Sequence, residues 1–387
     1  MRVTHVITRL IVGGAQENTI ASVLGLRAKP GLDVELLAGP TEGAEGSLQS
    51  VVEREGCLTV VPQLIRAVRP WTDWLAYRRL VRHFAAKRPD VVHTHSGKAG
   101  ILGRLAARKA GVPIVIHSIH GPSFGPFQGA LANAVFTGAE RHAGRITDQF
   151  VVVADAMTRQ YLAAGIGRPE QYTRIFSGFD LEPFVHAVRD GELARRLGIA
   201  PDDFVIGKIA RLFELKGHED VFAIASELVR RVPKAKFLFV GDGPWRQRFG
   251  DIARAAGLAE RFVFAGLVPP AEVGRYVALM DCLVHLSRRE GLPRALPQAL
   301  AAGRPVVAYD CDGAGEVCRT DETGFLVPRG DHGMLVDRLA ELASRPELRR
   351  RLGEVGRRWV CERFTVERLV QDQHELYLRL AKEKELR

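Results

Sequence analysis

HLSRREGLPRALPQALAAGRPVVAYDCDGAGE, residues 285–316, is the stretch on which the fold turns. It continues an apolar run, DCLVHLS, that reads as a buried parallel strand. Glu290-Gly291 makes a polar turn, and Pro293 takes the first helical position. A helix is predicted from Arg294 to Ala302, stopped by Gly303 as a C′ glycine. Pro305 to Ala308 reads as the next strand, and Asp310 to Glu316 as a glycine-bearing loop. Strand, loop, helix and strand in this order gather polar groups at the carboxyl ends of the strands. In open α/β sheets that edge is where ligands sit.

Outward from this stretch the same alternation recurs. Towards the N-terminus, strands are predicted at Phe204–Ala210, Lys236–Val240, Phe262–Ala265 and Cys282–Leu286. Between them come helices at Gly217–Arg231 and from Pro244 and Pro270. The first half repeats the pattern: strands at Val3–Thr8, Val34–Leu37, Leu58–Val61, Asp90–His95, Pro113–Ile119, Gln149–Val153 and Arg174–Phe176. Helices are predicted at Ala15–Leu26, Thr72–Ala86 (capped by Thr72 or Asp73), Lys98–Ala110, Leu131–His142 and Asp155–Ala164. Beyond His332 the chain is helical, with Leu, Arg and Glu at i, i+3, i+4 spacing. Two sets of strand–helix units argue for an α/β protein of two doubly wound domains, divided near Ser177–Val188.

A chain of 387 residues suits two domains, and 46% hydrophobic with 26% charged residues is a globular composition. No apolar run reaches 18 residues, and the opening MRVTHVITRL reads as a strand, not a signal peptide. The five cysteines form no CxxC pair, which suits a reducing cytoplasm and gives no metal-ligand spacing. The net charge of +10 is uneven: residues 1–180 carry 21 Lys+Arg against 14 Asp+Glu, or +7, and the rest 34 against 31, or +3. No nucleic-acid recognition motif accompanies that charge.

Several groups fall at predicted strand ends. Gly13-Gly14 lies between the first strand and helix, as a tight turn or as a close approach to an anion. VGGAQEN is not the GxGxxG fingerprint of dinucleotide binding. His120 ends PIVIHSIH and can donate to a hydroxyl or phosphate; His93, His95 and His117 read as packed or solvated. Arg211 and Lys216, in RLFELKG, suit a diphosphate, by a bidentate fork and a point charge. Gly241-Asp242-Gly243-Pro244 is a further strand-to-helix turn. Glu290 and Gln298 can face one crevice, with Gly313-Ala314-Gly315 adding backbone donors.

The order GGA, HG, RLFELKG, GDGP, EGLPRALPQALAAGRPVVA and GAGEV resembles the family-4 retaining glycosyltransferases over nearly the whole chain. The resemblance implies the GT-B fold: two Rossmann-like domains facing across a cleft, with a final helix crossing back to the first. The expected boundaries are 1–180 (acceptor), 181–362 (nucleotide sugar) and 363–387 (crossover helix around Val366 to Leu380). It implies transfer of a hexose from a nucleotide diphosphate sugar with retention, without metal or cofactor. The acceptor is a lipid-linked one or a saccharide, in cell-envelope or exopolysaccharide synthesis. By matched position, Arg211 and Lys216 neutralise the leaving diphosphate, Glu290 binds the transferred sugar's hydroxyls, and His120 contacts the donor sugar. Gly13, Gly14, Gly241, Gly243, Gly291, Leu292, Gly313 and Glu316 border the donor. Gln298 stands where the family has a second Glu on the ribose. Its amide accepts from one hydroxyl and donates to another, where a carboxylate accepts only. Ser177 in SGFD replaces a more usual Asn, in a hinge turn.

Two other readings share these residues: a sugar-nucleotide epimerase on the same scaffold, and a non-catalytic sugar-nucleotide sensor. Acceptor loops are expected at 39–50 and 121–130. Residues 66–88 hold seven basic residues, one acid and the aromatics Trp71, Trp74, Tyr77 and Phe84. They suit either contact with an anionic membrane, peripheral at its inner face, or packing on the sheet.

Overall fold

The computed structural model describes residues 1–41, 46–95, 97–125 and 128–386. The chain forms two compact units, Met1–Phe179 with Val366–Arg387, and Asp180–Thr365.

The first unit is built on seven parallel strands. These are β1 (Arg2–Ile7), β2 (Asp33–Ala38), β3 (Leu58–Val60), β4 (Val91–His95), β5 (Ile114–Ile119), β6 (Gln149–Val152) and β7 (Tyr172–Arg174), in the order β3-β2-β1-β4-β5-β6-β7. The order reverses direction between β1 and β4, where His5 stands opposite His93. Strands β4 and β5 are buried along their whole length, as a sheet covered on both faces requires. One face meets the helix Gly14–Arg27 and the other the helix Pro70–Lys87, through Ala76, Leu80 and Phe84. The last helix, Val366–Glu383, lies against Gly14–Arg27. Gly25 makes room for it: a Cβ there would stand 2.3 Å from Val370 Cγ2. Gln373 Nε2 also donates to Ser22 Oγ at 3.0 Å.

The second unit holds β8 (Phe204–Ile209), β9 (Ala235–Val240), β10 (Phe262–Gly266), β11 (Cys282–His285), β12 (Val306–Tyr309) and β13 (Gly324–Val327). Their order is β10-β9-β8-β11-β12-β13, all parallel, and the reversal falls between β8 and β11. Its core spans β8–β13 and the helices His218–Arg231 and His332–Ser344.

The elements differ from the sequence expectation at identifiable places. Helix Pro70–Lys87 starts ahead of Thr72, because Pro70 takes the first turn; Asp73 then reaches back to accept from Arg69 N at 3.1 Å. Pro293 precedes the N-cap Arg294, and Pro297 occupies the first turn of Ala295–Ala301, where a missing N–H leaves no bond unmade. Pro244 stays outside its helix, Arg246–Ala255, because Trp245 N donates to Leu212 O at 3.1 Å. The strand closing the first half lies at Tyr172–Arg174, two residues earlier than expected. Strand β13 escaped the sequence reading.

Candidate active site

In the second unit four loops leave the carboxyl ends of the strands and are tied to one another. Gly217 stands at φ +68, and a Cβ there would lie 2.0 Å from Leu286 O, so only glycine brings this loop against the end of β11. Arg288 N donates to Leu215 O at 2.8 Å across the same junction. Gly241 stands at φ +130, and Gly243 has Leu212 O only 2.5 Å from where its Cβ would be. Both glycines of GDGP are therefore accounted for by close packing against residues 210–212. Gly313 N donates to Gly291 O at 3.1 Å, and Asp312 Oδ2 accepts from Glu290 N at 2.8 Å.

This frame brings Lys216 and Glu290 together, with Nζ donating to Oε1 at 2.6 Å and both side chains partly exposed. His285 Nε2 lies 3.7 Å from the same oxygen. Burial works to raise the Glu290 carboxyl. His285 and then the Lys216 ammonium lower it, and the net is a pKa below the ordinary carboxylate range. His285 is itself pushed to about 3 by burial, so at neutral pH the Lys216 ammonium is the partner that keeps Glu290 ionised.

Behind this pair lies a layer the sequence reading did not identify. Lys208, on β8, is 1% exposed, and its Nζ has no hydrogen-bond partner among the described residues. Burial, aided by repulsion from Lys216, lowers its pKa from 10.5 to about 7. His218 packs its ring 5.2 Å from that of Phe239, with neither nitrogen bonded, and burial drives its pKa to about 2.

Gln298 lies on the helix Ala295–Ala301, all of whose residues are buried. Its side-chain amide makes no hydrogen bond among the described residues. Arg211 is exposed, its guanidinium 5.6 Å from the centroid of the Phe213 ring, and is not paired as Lys216 is. Gly291, Leu292 and Glu316 are partly exposed and Gly313 is buried.

In the first unit, Gly13 stands in the bend before the helix with φ 175 and Gly14 begins the helix, so neither is in the left-handed region. A Cβ on Gly14 would meet no protein atom within 4 Å. Neither conformation nor packing thus demands a glycine at 14. His120, just past β5, is partly exposed, and its Nε2 lies 3.1 Å from His95 Nδ1. His93, His95 and His117 are fully buried. His5, His93 and His95 bring ring nitrogens within 4.8 Å of one another, a grouping that no local spacing announced. A cavity of about 500 Å³ lined by Arg108, Arg141, Arg145 and Lys384 opens at the opposite, amino ends of β5 and β6 and touches none of the candidate residues. Of the two expected acceptor loops, residues 42–45 and 126–127 lie outside the described residues.

The matches to known proteins agree with this layout. A model of the "Glycosyl transferases group 1" family covers residues 190–359, and one of the "Glycosyl transferase 4-like domain" covers 13–177. A GDP-mannose-dependent alpha-mannosyltransferase of Mycobacterium tuberculosis is 31% identical over 73% of this chain and 74% of its own. This chain belongs to the group 1 glycosyl transferases. An Escherichia coli UDP-Gal:alpha-D-GlcNAc-diphosphoundecaprenol alpha-1,3-galactosyltransferase is 27% identical over 73% of this chain and 74% of its own. Among solved structures, Anabaena HepE in complex with UDP matches with a TM-score of 0.82 at 21% identity, over 98% of this chain and all of that one. The glycosyltransferase thus has the GT-B fold of two parallel-sheet α/β domains, and its chemistry is sugar transfer from a nucleotide sugar. Among the described residues, no helix is long and apolar enough to cross a membrane.

Proposed function

We propose that this glycosyltransferase moves a hexose from a nucleotide diphosphate sugar to an acceptor hydroxyl with retention of anomeric configuration, in cell-envelope or exopolysaccharide synthesis. The observation that carries the reading is the tied set of loops around Lys216 and Glu290 at the switch point of β8 and β11, with Gln298, whose amide has no partner among the described residues, on the helix that follows Glu290. Lys216 and Arg211 take the leaving diphosphate. Lys216 is held ready by Glu290, whose second carboxylate oxygen stays available to accept from the sugar's hydroxyls. Gln298 meets the ribose. Gly14, where a side chain would occupy open space, lets the backbone of the helix N-terminus approach the donor. Gly13, Gly241, Gly243, Gly291, Leu292, Gly313 and Glu316 complete the donor surroundings, the glycines of GDGP by shaping the loop.

In the reaction the bond from C1 to the phosphate oxygen breaks, and its electron pair leaves with the diphosphate. The acceptor oxygen bonds to C1 on the same face, and its proton passes to the departing phosphate. Cationic groups already in position stabilise the charge that develops.

A lipid-linked acceptor, as named for the Escherichia coli relative, suits the surface of the helix Pro70–Lys87. Its inner face is packed, while Val68, Trp71 and Trp74 are 66%, 69% and 42% exposed among Arg66, Arg69 and Arg78. The exposed Trp71, Trp74 and Arg78 of the helix, with Arg66, Val68 and Arg69 in the segment before it, support peripheral binding to the anionic inner membrane face from the cytoplasm. Sedimentation with anionic and neutral liposomes tests this: selective sedimentation with the anionic ones is expected, and equal partition refutes it. Incubation with labelled UDP-, GDP- and ADP-sugars and a diphosphoprenol-linked saccharide tests the activity. A transfer product supports the reading; an epimer, or binding without turnover, refutes it.

A further inference from the structure

His5, His93, His95 and the partly exposed His120 form one continuous hydrogen-bonded chain with Ser118 and Tyr377, drawn from three adjacent strands and the last helix. Ser118 Oγ lies 2.7 Å from His93 Nε2. His93 Nδ1 lies 2.5 Å from the Tyr377 hydroxyl, which lies 3.3 Å from His5 Nε2. His5 Nδ1 is 2.9 Å from His95 Nε2, and His95 Nδ1 is 3.1 Å from His120 Nε2. The rings of His5, His93, His95 and His120 are stacked or tilted over one another at centroid distances from 4.5 to 5.4 Å. Of their eight ring nitrogens, only His120 Nδ1 lacks a hydrogen-bond partner among the described residues. A metal ion at His5, His93 and His95 would have to displace these bonds, so the grouping reads as a chain of donors and acceptors.

Burial keeps all four rings neutral at physiological pH. It lowers His5 to about 3, His120 to about 4, and His93 and His95 well below the ordinary value. A neutral imidazole has one donor and one acceptor nitrogen, and the Tyr377 hydroxyl has a single proton. Each member of the chain therefore fixes its neighbour, and two arrangements use the Tyr377 proton within the chain; a third, with Tyr377 accepting from both histidines, leaves that proton without an acceptor among the described residues. The two contacts of Tyr377 select one of them, in which Ser118 Oγ accepts from His93 and its own proton has no acceptor among the described residues. Phenol is the stronger acid, and its short contact is the one to His93 Nδ1; the long contact to His5 then has the imidazole N–H donating to the phenol oxygen. Followed outward, His5 Nδ1 accepts from His95 Nε2–H, and His95 Nδ1 accepts from His120 Nε2–H.

We propose that Tyr377, through His5 and His95, holds His120 in the tautomer protonated at Nε2, so that Nδ1 faces the donor sugar as a hydrogen-bond acceptor. The last clause rests on the proposed function; the tautomer does not. Of these five residues His120 alone would touch substrate, while Tyr377, His93, His5 and His95 are positioning residues. The consequence for recognition is direct: a sugar hydroxyl donates to this histidine, contrary to the donor role expected from the sequence.

The test is long-range ¹H–¹⁵N correlation spectroscopy on histidine-labelled protein without ligand, with the His120 signals assigned by His120→Gln. Wild type is expected to show His120 protonated at Nε2 and bare at Nδ1. A wild-type His120 protonated at Nδ1 overturns the proposal, and this needs no variant to fold. Ser118→Ala removes the acceptor of His93 Nε2–H and is expected to reverse the whole chain, moving the His120 proton to Nδ1. Tyr377→Phe frees His5 and is expected to give a substantial Nδ1–H population. Both variants should raise the KM for the sugar nucleotide several-fold while leaving the affinity for the nucleoside diphosphate alone unchanged. A merely structural role predicts lower stability with the His120 tautomer unmoved, and that result refutes the proposal. If the tautomer shifts as expected but no sugar nucleotide is turned over by wild type, the functional reading alone fails.

Discussion

Lys208→Met is predicted to make the second unit more stable, by an amount that depends on pH. Lys208 stands on β8 with its Nζ buried and without a hydrogen-bond partner among the described residues. Burial and the nearby Lys216 lower its pKa from 10.5 to about 7, against the opposing pull of Asp220 and Glu290. Below pH 7 both folded and unfolded chains carry the proton, and the folded state bears the whole cost of a buried ammonium. Between about 7 and 10.5 the unfolded chain keeps the proton that the folded one has released, so stability rises with pH across that window. The interval is 10.5 minus about 7, roughly 3.5 pH units, and at ~1.4 kcal/mol per unit this sets a ceiling of about 5 kcal/mol. Methionine keeps the length and apolar character of the stem and removes the charge. Local relaxation and any loss of packing reduce the gain, which should lie on the order of 2–5 kcal/mol at pH 6 and shrink towards pH 10. Urea unfolding followed by hydrogen exchange of the β8 and β11 amides reads this unit separately from the other. A variant that is no more stable at pH 6, or whose advantage is the same at pH 6 and pH 10, would show that burying the Lys208 ammonium does not cost the fold this stability.

Three further predictions concern the active site. Arg211→Ala and Lys216→Ala should each lower kcat strongly; if both stay within about tenfold of wild type, equivalent to ~1.4 kcal/mol, neither stabilises the leaving group. Gln298→Glu should leave turnover intact or tighten donor binding, measured as kcat and donor KM, whereas abolished activity would give Gln298 a role of its own. Gly14→Ala adds a methyl that meets no protein atom at a helical position, so the melting temperature should hold or rise slightly while kcat/KM for the donor falls. Unchanged kcat/KM in that variant would remove Gly14 from the donor surroundings.

Much of this organisation was legible because it is local. Apolar runs bounded by glycine and proline mark parallel strands, and the loops that follow them carry RLFELKG, GDGP and EGLPRALPQ at positions where the doubly wound topology places ligands. What remained hidden depends on register and close approach. His93 and His95 share a face because they alternate along β4. That His5 stands opposite His93 follows only from β1 pairing with β4, strands separated by β2 and β3 in sequence. Tyr377 comes from the far end of the chain. Lys208 was unremarkable inside an apolar strand, because burial of a single cation is a property of the packed unit. The proline positions misled for another reason: Pro244 and Pro293 each look like a first helical residue, but Trp245 binds Leu212, and Pro297 takes the turn that Pro293 seemed to open. Gly13 lies in the bend that leads into the helix and Gly14 opens the helix, neither in the left-handed region, so the explanation of Gly14 lies in the open space beside the helix N-terminus.

Transfer from a sugar nucleotide with retention can be tested before the acceptor is known. Slow hydrolysis of α-linked UDP-, GDP- and ADP-sugars by the protein, followed by proton NMR from the first minutes, reports the anomer released before mutarotation. At least one donor should be consumed, the α-anomer should appear first, and Lys216→Ala should suppress its release. First appearance of the β-anomer, formation of an epimer, or failure of every donor to react would contradict retaining transfer.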